Sequence, residues 1–102
     1  MNTLSTVAKV SEIREGEMLA VDVAGTKVAL TRINGRLHAF DDTCTHAGCS
    51  LADGELEGTV VTCPCHGSRF DATSGAVLGG PALEPVRSHA VTTAGDDVLV
   101  EP

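Results

Sequence analysis

Short runs of aliphatic and β-branched residues alternate along the chain with the turn-forming residues Gly, Pro, Asn and Asp. Within the runs, apolar and polar positions often alternate, which is typical of half-buried strands. The pattern predicts strands at residues 7–10, 18–23, 27–33, 37–40, 59–62, 68–71, 86–93 and 98–101. It shows no convincing helix, repeat or low-complexity linker. We therefore predict an all-β fold.

Turn signals separate several of these strands. Ala24-Gly25-Thr26 predicts a turn after the second strand, and Asn34-Gly35 predicts a two-residue hairpin turn because both residues tolerate positive φ. Gly79-Gly80-Pro81 predicts a corner that can lie neither in a helix nor in a central strand. A chain of 102 residues suffices for one domain but not for two, so we predict a single domain over residues 1–102.

The composition narrows the possible partners. Val, Ala and Leu dominate the apolar residues, and the aromatic residues are Phe40 and Phe70 alone, so almost no ring is available on which a nucleic-acid base could stack. The formal net charge of −7 repels phosphate backbones and anionic lipid, and it is compatible with attraction to a basic protein face. We expect no nucleic-acid partner.

The distribution of apolar residues also bears on location. No apolar run approaches the ~20 residues needed to span a bilayer. Residues 1–7 lack the basic and apolar regions of an export signal. We therefore expect a cytoplasmic protein without a membrane partner.

Two short segments carry the candidate chemistry, CTHAGC at residues 44–49 and CPCHGS at residues 63–68. Each offers one thiol and one imidazole at close spacing. The first pair is Cys44 and His46, and the second is Cys63 and His66. Two sulfurs and two ring nitrogens suit an iron–sulfur centre in which histidines replace cysteines on one iron. On that interpretation the chain carries electrons.

Two other interpretations use the same residues. A structural zinc site can also take two cysteines and two histidines. The usual finger order is two cysteines followed by two histidines on a helix, whereas the order here is Cys-His and then Cys-His between predicted strands. A framework of disulfides is the other alternative, since four cysteines allow three pairings. It would leave the neighbouring histidines without a role.

The two segments together resemble the signature of the Rieske [2Fe-2S] proteins, C-x-H-x-G-C followed by C-P-C-H-G-S. The resemblance extends to Phe70-Asp71, Gly75 and Gly80-Pro81. It implies one [2Fe-2S] cluster, with Cys44 and Cys63 as ligands of the inner iron and with His46 and His66 as ligands of the outer iron.

The same resemblance implies roles for further residues. Cys49 and Cys65 match a pair that forms a disulfide in the high-potential branch of the family, whereas many ferredoxins that feed Rieske oxygenases lack this pair. Ser68 matches a hydroxyl that donates a hydrogen bond to a cluster sulfide and so raises the reduction potential. Phe70 stands where high-potential members often carry a Tyr that donates to a cysteine sulfur, and Ala47 stands where they carry a Leu lid. We therefore expect an intermediate potential.

The remaining histidines, His38 and His89, have no candidate ligand at close spacing and are interpreted as ordinary strand residues. The resemblance implies an antiparallel Rieske-type β-sandwich with a small inserted cluster-binding subdomain at about residues 42–81, in which the corner at residues 79–81 forms a third loop over the cluster.

The function it implies is that of a soluble Rieske-type ferredoxin. Such a carrier is not itself an enzyme, and it passes single electrons from a reductase to a terminal acceptor such as a Rieske oxygenase. A small Rieske subunit of a larger oxidoreductase is the first alternative. A non-redox, zinc-stabilised regulatory or binding module is the second.

Overall fold

The computed structural model describes residues 5–45, 48–65 and 67–101. In these residues, strands that pair with antiparallel partners form three sheets. The strands are β1 Ser5–Lys9, β2 Met18–Val23, β3 Thr26–Ile33, β4 Arg36–Asp41, β5 Glu55–Glu57, β6 Val60–Thr62, β7 Arg69–Asp71, β8 Val77–Gly79, β9 Ser88–His89, β10 Val91–Ala94 and β11 Asp97–Val100. Helical structure in the described residues is limited to two 3-10 turns, Val10–Glu12 and Leu51–Asp53. The prediction of an all-β, antiparallel fold is confirmed.

The middle sheet, in the order β2-β3-β4-β9, is buried on both faces. Val28 and Leu30 of β3 pack with the first sheet, which has the order β1-β11-β10. Ala29 and Ile33 point to the opposite face and pack with the third sheet, which has the order β5-β6-β7-β8. Because successive side chains of a strand point to opposite faces, burial on both faces explains why residues 28–31 of β3 are buried in succession.

Two tight hairpins build this middle sheet. Asn34 and Gly35 connect β3 to β4 with φ of 52° and 77°, as the sequence predicted. Ala24 and Gly25 connect β2 to β3 with φ of 51° and 87°. Both hairpins therefore place two residues in the left-handed region, whose twist matches that of the flanking strands.

The strand predicted at residues 86–93 is wrong as a single element. Ser88–His89 pairs with β4 in the middle sheet, whereas Val91–Ala94 pairs with β11 in the first sheet. The chain changes sheets at Ala90, whose carbonyl accepts a hydrogen bond of 3.0 Å from the amide of Glu101. A local apolar pattern specifies extended backbone but not its partner, so the break was not visible in the sequence.

Two strands of the third sheet were not predicted. Glu55–Glu57 was interpreted as part of a turn region because Asp53-Gly54 and Glu57-Gly58 flank it. Val77–Gly79 includes the first glycine of the Gly-Gly-Pro corner. A glycine is tolerated in this strand because β8 lies at the edge of its sheet. The first strand is also displaced: it covers Ser5–Lys9, and Val10 already belongs to a 3-10 turn.

None of the helices in the described part of the chain is both long enough and apolar enough to cross a membrane.

Candidate metal centre

The first cysteine segment, residues 44–49, forms a loop closed by two backbone hydrogen bonds. The amide of Cys44 donates to the carbonyl of Cys49 over 2.9 Å, and the amide of Gly48 donates to the carbonyl of Cys44 over 2.9 Å. Gly48 has φ of 73°, a conformation that residues with a Cβ rarely adopt. We call this segment the first loop.

The second segment, residues 63–68, repeats the same closure and is called the second loop. The amide of Cys63 donates to the carbonyl of Ser68 over 2.7 Å, and the amide of Gly67 donates to the carbonyl of Cys63 over 3.2 Å. Gly67 has φ of 79° at the position that Gly48 occupies in the first loop. The two loops are thus equivalent in backbone hydrogen bonding, and each begins with a cysteine.

Cys44 and Cys63, the first residues of the loops, are each 2% exposed. Both belong to the apolar cluster between the middle and third sheets, together with Phe40 and Phe70, which are fully buried. The role of Phe70 in packing is therefore clear. The two thiols therefore occupy equivalent positions in the two loops and lie in the same apolar cluster.

A disulfide joins the loops. It connects Cys49, the last residue of the first loop, to Cys65 in the second loop, with 6.4 Å between the Cα atoms. The Sγ atoms of Cys49, Cys63 and Cys65 all lie within 4.8 Å of one another. The bridge therefore brings the two loops together at a site that, among the described residues, offers three sulfur atoms.

His46 and His66, the predicted nitrogen ligands, lie outside the described residues. Their chain neighbours Thr45 and Cys65 are described and are exposed, in contrast to the buried Cys44 and Cys63. Of the four predicted ligands, the structure describes Cys44 and Cys63, which are buried in one apolar cluster.

A third segment, residues 80–84, packs over the second loop and is called the third loop. A Cβ on Gly80 would lie 2.6 Å from the Cα of Ser68, so only glycine allows this approach. The amide of Ala82 donates to Ser68 Oγ over 3.1 Å. On the other side, Thr45 Oγ1 donates to the carbonyl of Glu84 over 2.8 Å. The third loop is therefore tied to both cysteine loops.

Ser68 is fully buried, and its oxygen accepts the hydrogen bond from Ala82. A hydroxyl that accepts in this way keeps its own proton for a further acceptor. The hydrogen bonds found among the described residues include no acceptor for that proton. Ser68 is thus oriented by the third loop and retains one donor.

Asp42 is a site residue that the sequence analysis did not identify. Its buried carboxylate accepts hydrogen bonds from Ser50 Oγ and from the amide of Ala52, the latter over 2.8 Å. Its carbonyl accepts from the amide of Leu51 over 2.7 Å. Asp42 therefore holds both ends of the segment that contains the first loop. The only sequence signal was an acidic residue two positions before the cysteine motif.

The residues present fit a sulfur-ligated metal cofactor. The thiols of Cys44 and Cys63 are buried at equivalent positions of the two loops. The buried hydroxyl of Ser68, which has a proton to donate, lies in the same loop as Cys63. Thiolate is the ligand that iron–sulfur clusters require, and nearby donors stabilise the charge of such clusters.

The family model for the Rieske [2Fe-2S] domain matches residues 3–90. Among curated proteins, the ferredoxin component of the naphthalene 1,2-dioxygenase system from Pseudomonas aeruginosa is 37% identical over 90 residues, which cover 88% of this chain and 86% of that protein. The ferredoxin component of biphenyl 2,3-dioxygenase from Rhodococcus jostii is 34% identical, with 96% of this chain and 92% of that protein covered.

Solved structures agree with this assignment. The ferredoxin of carbazole 1,9a-dioxygenase from Nocardioides aromaticivorans superimposes with a TM-score of 0.94 at 32% identity, covering 98% of each chain. A chain from a complex of reduced oxygenase and oxidised ferredoxin of carbazole 1,9a-dioxygenase gives a TM-score of 0.90 at 30% identity, over 96% of this chain and 92% of that one. The protein therefore belongs to the Rieske [2Fe-2S] domain family, and its cofactor is a [2Fe-2S] cluster.

Proposed function

We propose that this protein is the ferredoxin component of a Rieske-type dioxygenase system, which accepts single electrons from a reductase and delivers them to the terminal oxygenase. The observation that carries the proposal is the pair of equivalent loops whose first residues, Cys44 and Cys63, are buried in one apolar cluster. Ferredoxin components of naphthalene and biphenyl dioxygenase systems match most of this chain, and most of their own length is matched. The chain is a carrier and not itself an enzyme.

We assign four ligands to the cluster. Cys44 and Cys63 bind the inner iron, and His46 and His66 bind the outer iron. The burial of the two cysteines and the exposure of Thr45 and Cys65 beside the histidines support this division between an inner and an outer side. When bound, the cluster supplies reversible one-electron chemistry.

The residues around the ligands influence the reduction potential of the cluster. Ser68, held by the amide of Ala82, would donate a hydrogen bond to a sulfide of the bound cluster and so favour the more negative, reduced state. Phe70 packs in the core and has no hydroxyl to donate. We therefore expect a potential between the extremes of the family range of roughly −150 to +300 mV. Ser68→Ala should lower the potential, and Phe70→Tyr should raise it.

The Cys49–Cys65 bridge is part of the functional protein in this proposal. It connects the two loops directly and so restricts their separation around the cofactor. A disulfide is compatible with the expected cytoplasmic location if its reduction potential is low, because such a bridge resists reduction by the glutathione pool. The cluster-binding part remains assigned to about residues 42–81 of a single domain over residues 1–102.

The larger-oxidoreductase alternative is less well supported. The relatives are separate ferredoxin components, and this chain covers 86% and 92% of the length of two of them. A zinc-stabilised module is not consistent with a family whose cofactor is a [2Fe-2S] cluster.

The proposal is tested by anaerobic purification followed by iron and acid-labile sulfide analysis, which should give about two of each per chain. His46→Ser and His66→Ser should abolish the electron paramagnetic resonance spectrum of the reduced Rieske cluster, whereas His38→Ser should preserve it. An unchanged spectrum in either ligand variant would contradict the ligand assignment. Failure of the reduced protein to reduce any Rieske oxygenase would contradict the carrier function.

A further inference from the structure

Leu83 is the most exposed large apolar side chain of the described residues, at 90% exposure. The other exposed large apolar side chain in the described part is Leu78, at 50%. Leu83 lies in the third loop, between the buried Ala82 and the exposed Glu84. Leu side chains are usually withdrawn from water in a folded protein, so exposure of this degree at the rim of the metal centre calls for a physical explanation.

The backbone on both sides of Leu83 is held in place. The amide of Ala82 donates to Ser68 Oγ over 3.1 Å, which ties the loop to the second cysteine loop. The carbonyl of Glu84 accepts from Thr45 Oγ1 over 2.8 Å, which ties it to the first. Leu83 therefore lies between two anchored neighbours, with its side chain exposed to solvent and not packed in the protein core.

The surroundings of Leu83 combine apolar and acidic character. Leu83, Pro81, Thr45 and Glu84 line a hollow of about 320 Å³ beside the first loop. Across the second loop, a further hollow of about 400 Å³ has Asp53 and Glu55 in its lining.

Charge at this end of the molecule is not uniform. Arg69 is a basic side chain next to the third loop, since its guanidinium lies against Gly79. The protein as a whole carries a net charge of −7. A partner face that fits this end thus needs an apolar depression bordered by basic residues.

We propose that Leu83 is the apolar anchor by which this protein docks on its electron acceptor, a terminal oxygenase, with Glu84 facing basic residues of that partner. The inference rests on the proposed function. The third loop contacts both cysteine loops, so a partner seated on Leu83 lies at the end of the molecule where the electron leaves. The similarity to a ferredoxin solved in complex with an oxygenase favours the acceptor over the reductase as the occupant.

The test measures electron transfer from the cluster-loaded, reduced protein to the oxidised terminal oxygenase of the naphthalene 1,2-dioxygenase system, by stopped-flow absorbance without oxygen. Loss of one buried Leu side chain corresponds to about a tenfold or greater loss of affinity. Leu83→Ser should therefore lower the second-order rate constant about tenfold at low oxygenase concentration, with an unchanged reduction potential. Leu83→Met, which keeps an apolar side chain, should stay within about twofold of the unmodified protein.

Leu78→Ser is the matched control, because it removes the other exposed leucine from the edge strand β8. It should leave the rate constant within about twofold. An equal loss in Leu78→Ser, an unchanged rate in Leu83→Ser, or a loss confined to reduction by the reductase would overturn the assignment of Leu83. If the unmodified protein reduces none of the naphthalene, biphenyl and carbazole oxygenases, the proposed function fails, and this inference fails with it.

Discussion

His89 and Asp41 are joined by a hydrogen bond at the base of the first loop, with 2.7 Å between Nε2 and Oδ1. The other ring nitrogen, Nδ1, donates to the carbonyl of Glu101 over 3.1 Å. The His89 side chain is only 2% exposed. This pair connects the end of β4 to the segment after β11, and His89 is therefore more than an ordinary strand residue.

We expect His89→Gln to lower the free energy of unfolding by about 2 kcal/mol, because the buried ring makes two hydrogen bonds that the variant loses. Urea denaturation measures this change. His38→Gln is the control on β4 and should change the free energy by less than about 0.5 kcal/mol. Equal changes in the two variants would contradict a structural role for the buried ring of His89.

Asp42 should determine how well the first loop holds its shape. Asp42→Ala leaves the part-buried amide of Ala52 and the hydroxyl of Ser50 without their acceptor. We expect a loss of about 2 kcal/mol in the free energy of unfolding, and faster loss of the cluster's visible absorbance under chelator. Ser50→Ala removes one of these hydrogen bonds and should cost about half as much. Equal retention of the cluster in both variants and in the unmodified protein would show that the loop does not need this carboxylate.

Gly80 and Gly95 provide a matched pair for the third loop. Both have positive φ, 81° and 63°, but a Cβ on Gly95 meets nothing within 4 Å, whereas one on Gly80 meets Ser68 and Gly67 at 2.6 and 2.8 Å. Gly95→Ala should cost about 1–2 kcal/mol, the usual strain of that conformation. Gly80→Ala should cost clearly more, and it should also shift the reduction potential because it displaces the loop that orients Ser68. Thermal unfolding and voltammetry measure the two effects, and equal costs would contradict the close contact.

Asp71 should make stability depend on acid. Its carboxylate accepts hydrogen bonds from the hydroxyl and the amide of Thr73, at 2.6 and 2.8 Å. These bonds lower the pKa of Asp71 below its usual value, and the hydroxyl bond has the larger effect. A carboxyl group with a lowered pKa in the folded state stabilises the protein above its unfolded pKa of about 3.9, and this contribution disappears as the pH falls through the folded value.

The effect should be small, a few tenths of a kcal/mol, because the group is largely accessible to solvent. Urea denaturation between pH 6 and pH 2.5 should show that Asp71→Asn removes part of the acid dependence. Asp22→Asn, at an exposed carboxylate on β2, is the control and should leave that dependence unchanged. The reverse result would contradict a role for the Thr73 hydrogen bonds.

The Cys49–Cys65 bridge encloses a segment with a sequence separation of 16. Closing a loop of that length restricts the unfolded chain by about 3 kcal/mol. Cys49→Ser and Cys65→Ser should each lower the free energy of unfolding by about this amount, and the double variant should lose no more than either single one. Additive losses would show that the two cysteines act separately and that the bridge is absent from the protein in solution.

Much of the fold followed from local patterns. Asn34-Gly35 predicted its hairpin because positive φ is a property of those residue types, and the runs at β2, β3 and β11 predicted strands because their apolar spacing reflects burial. The division of residues 86–93 between two sheets did not follow, because pairing partners lie far away in the chain.

The sequence by itself determined the chemistry, because the paired Cys and His residues of the motifs at 44–49 and 63–68 have donor atoms suited to few other cofactors. The tertiary structure decided which residues serve that chemistry from a distance. Asp42, His89 and Ala82 contact residues 8 to 48 positions away along the chain, namely Ser50, Asp41 and Ser68. Such contacts depend on how sheets and loops pack, and residue spacing along the chain does not encode that packing locally.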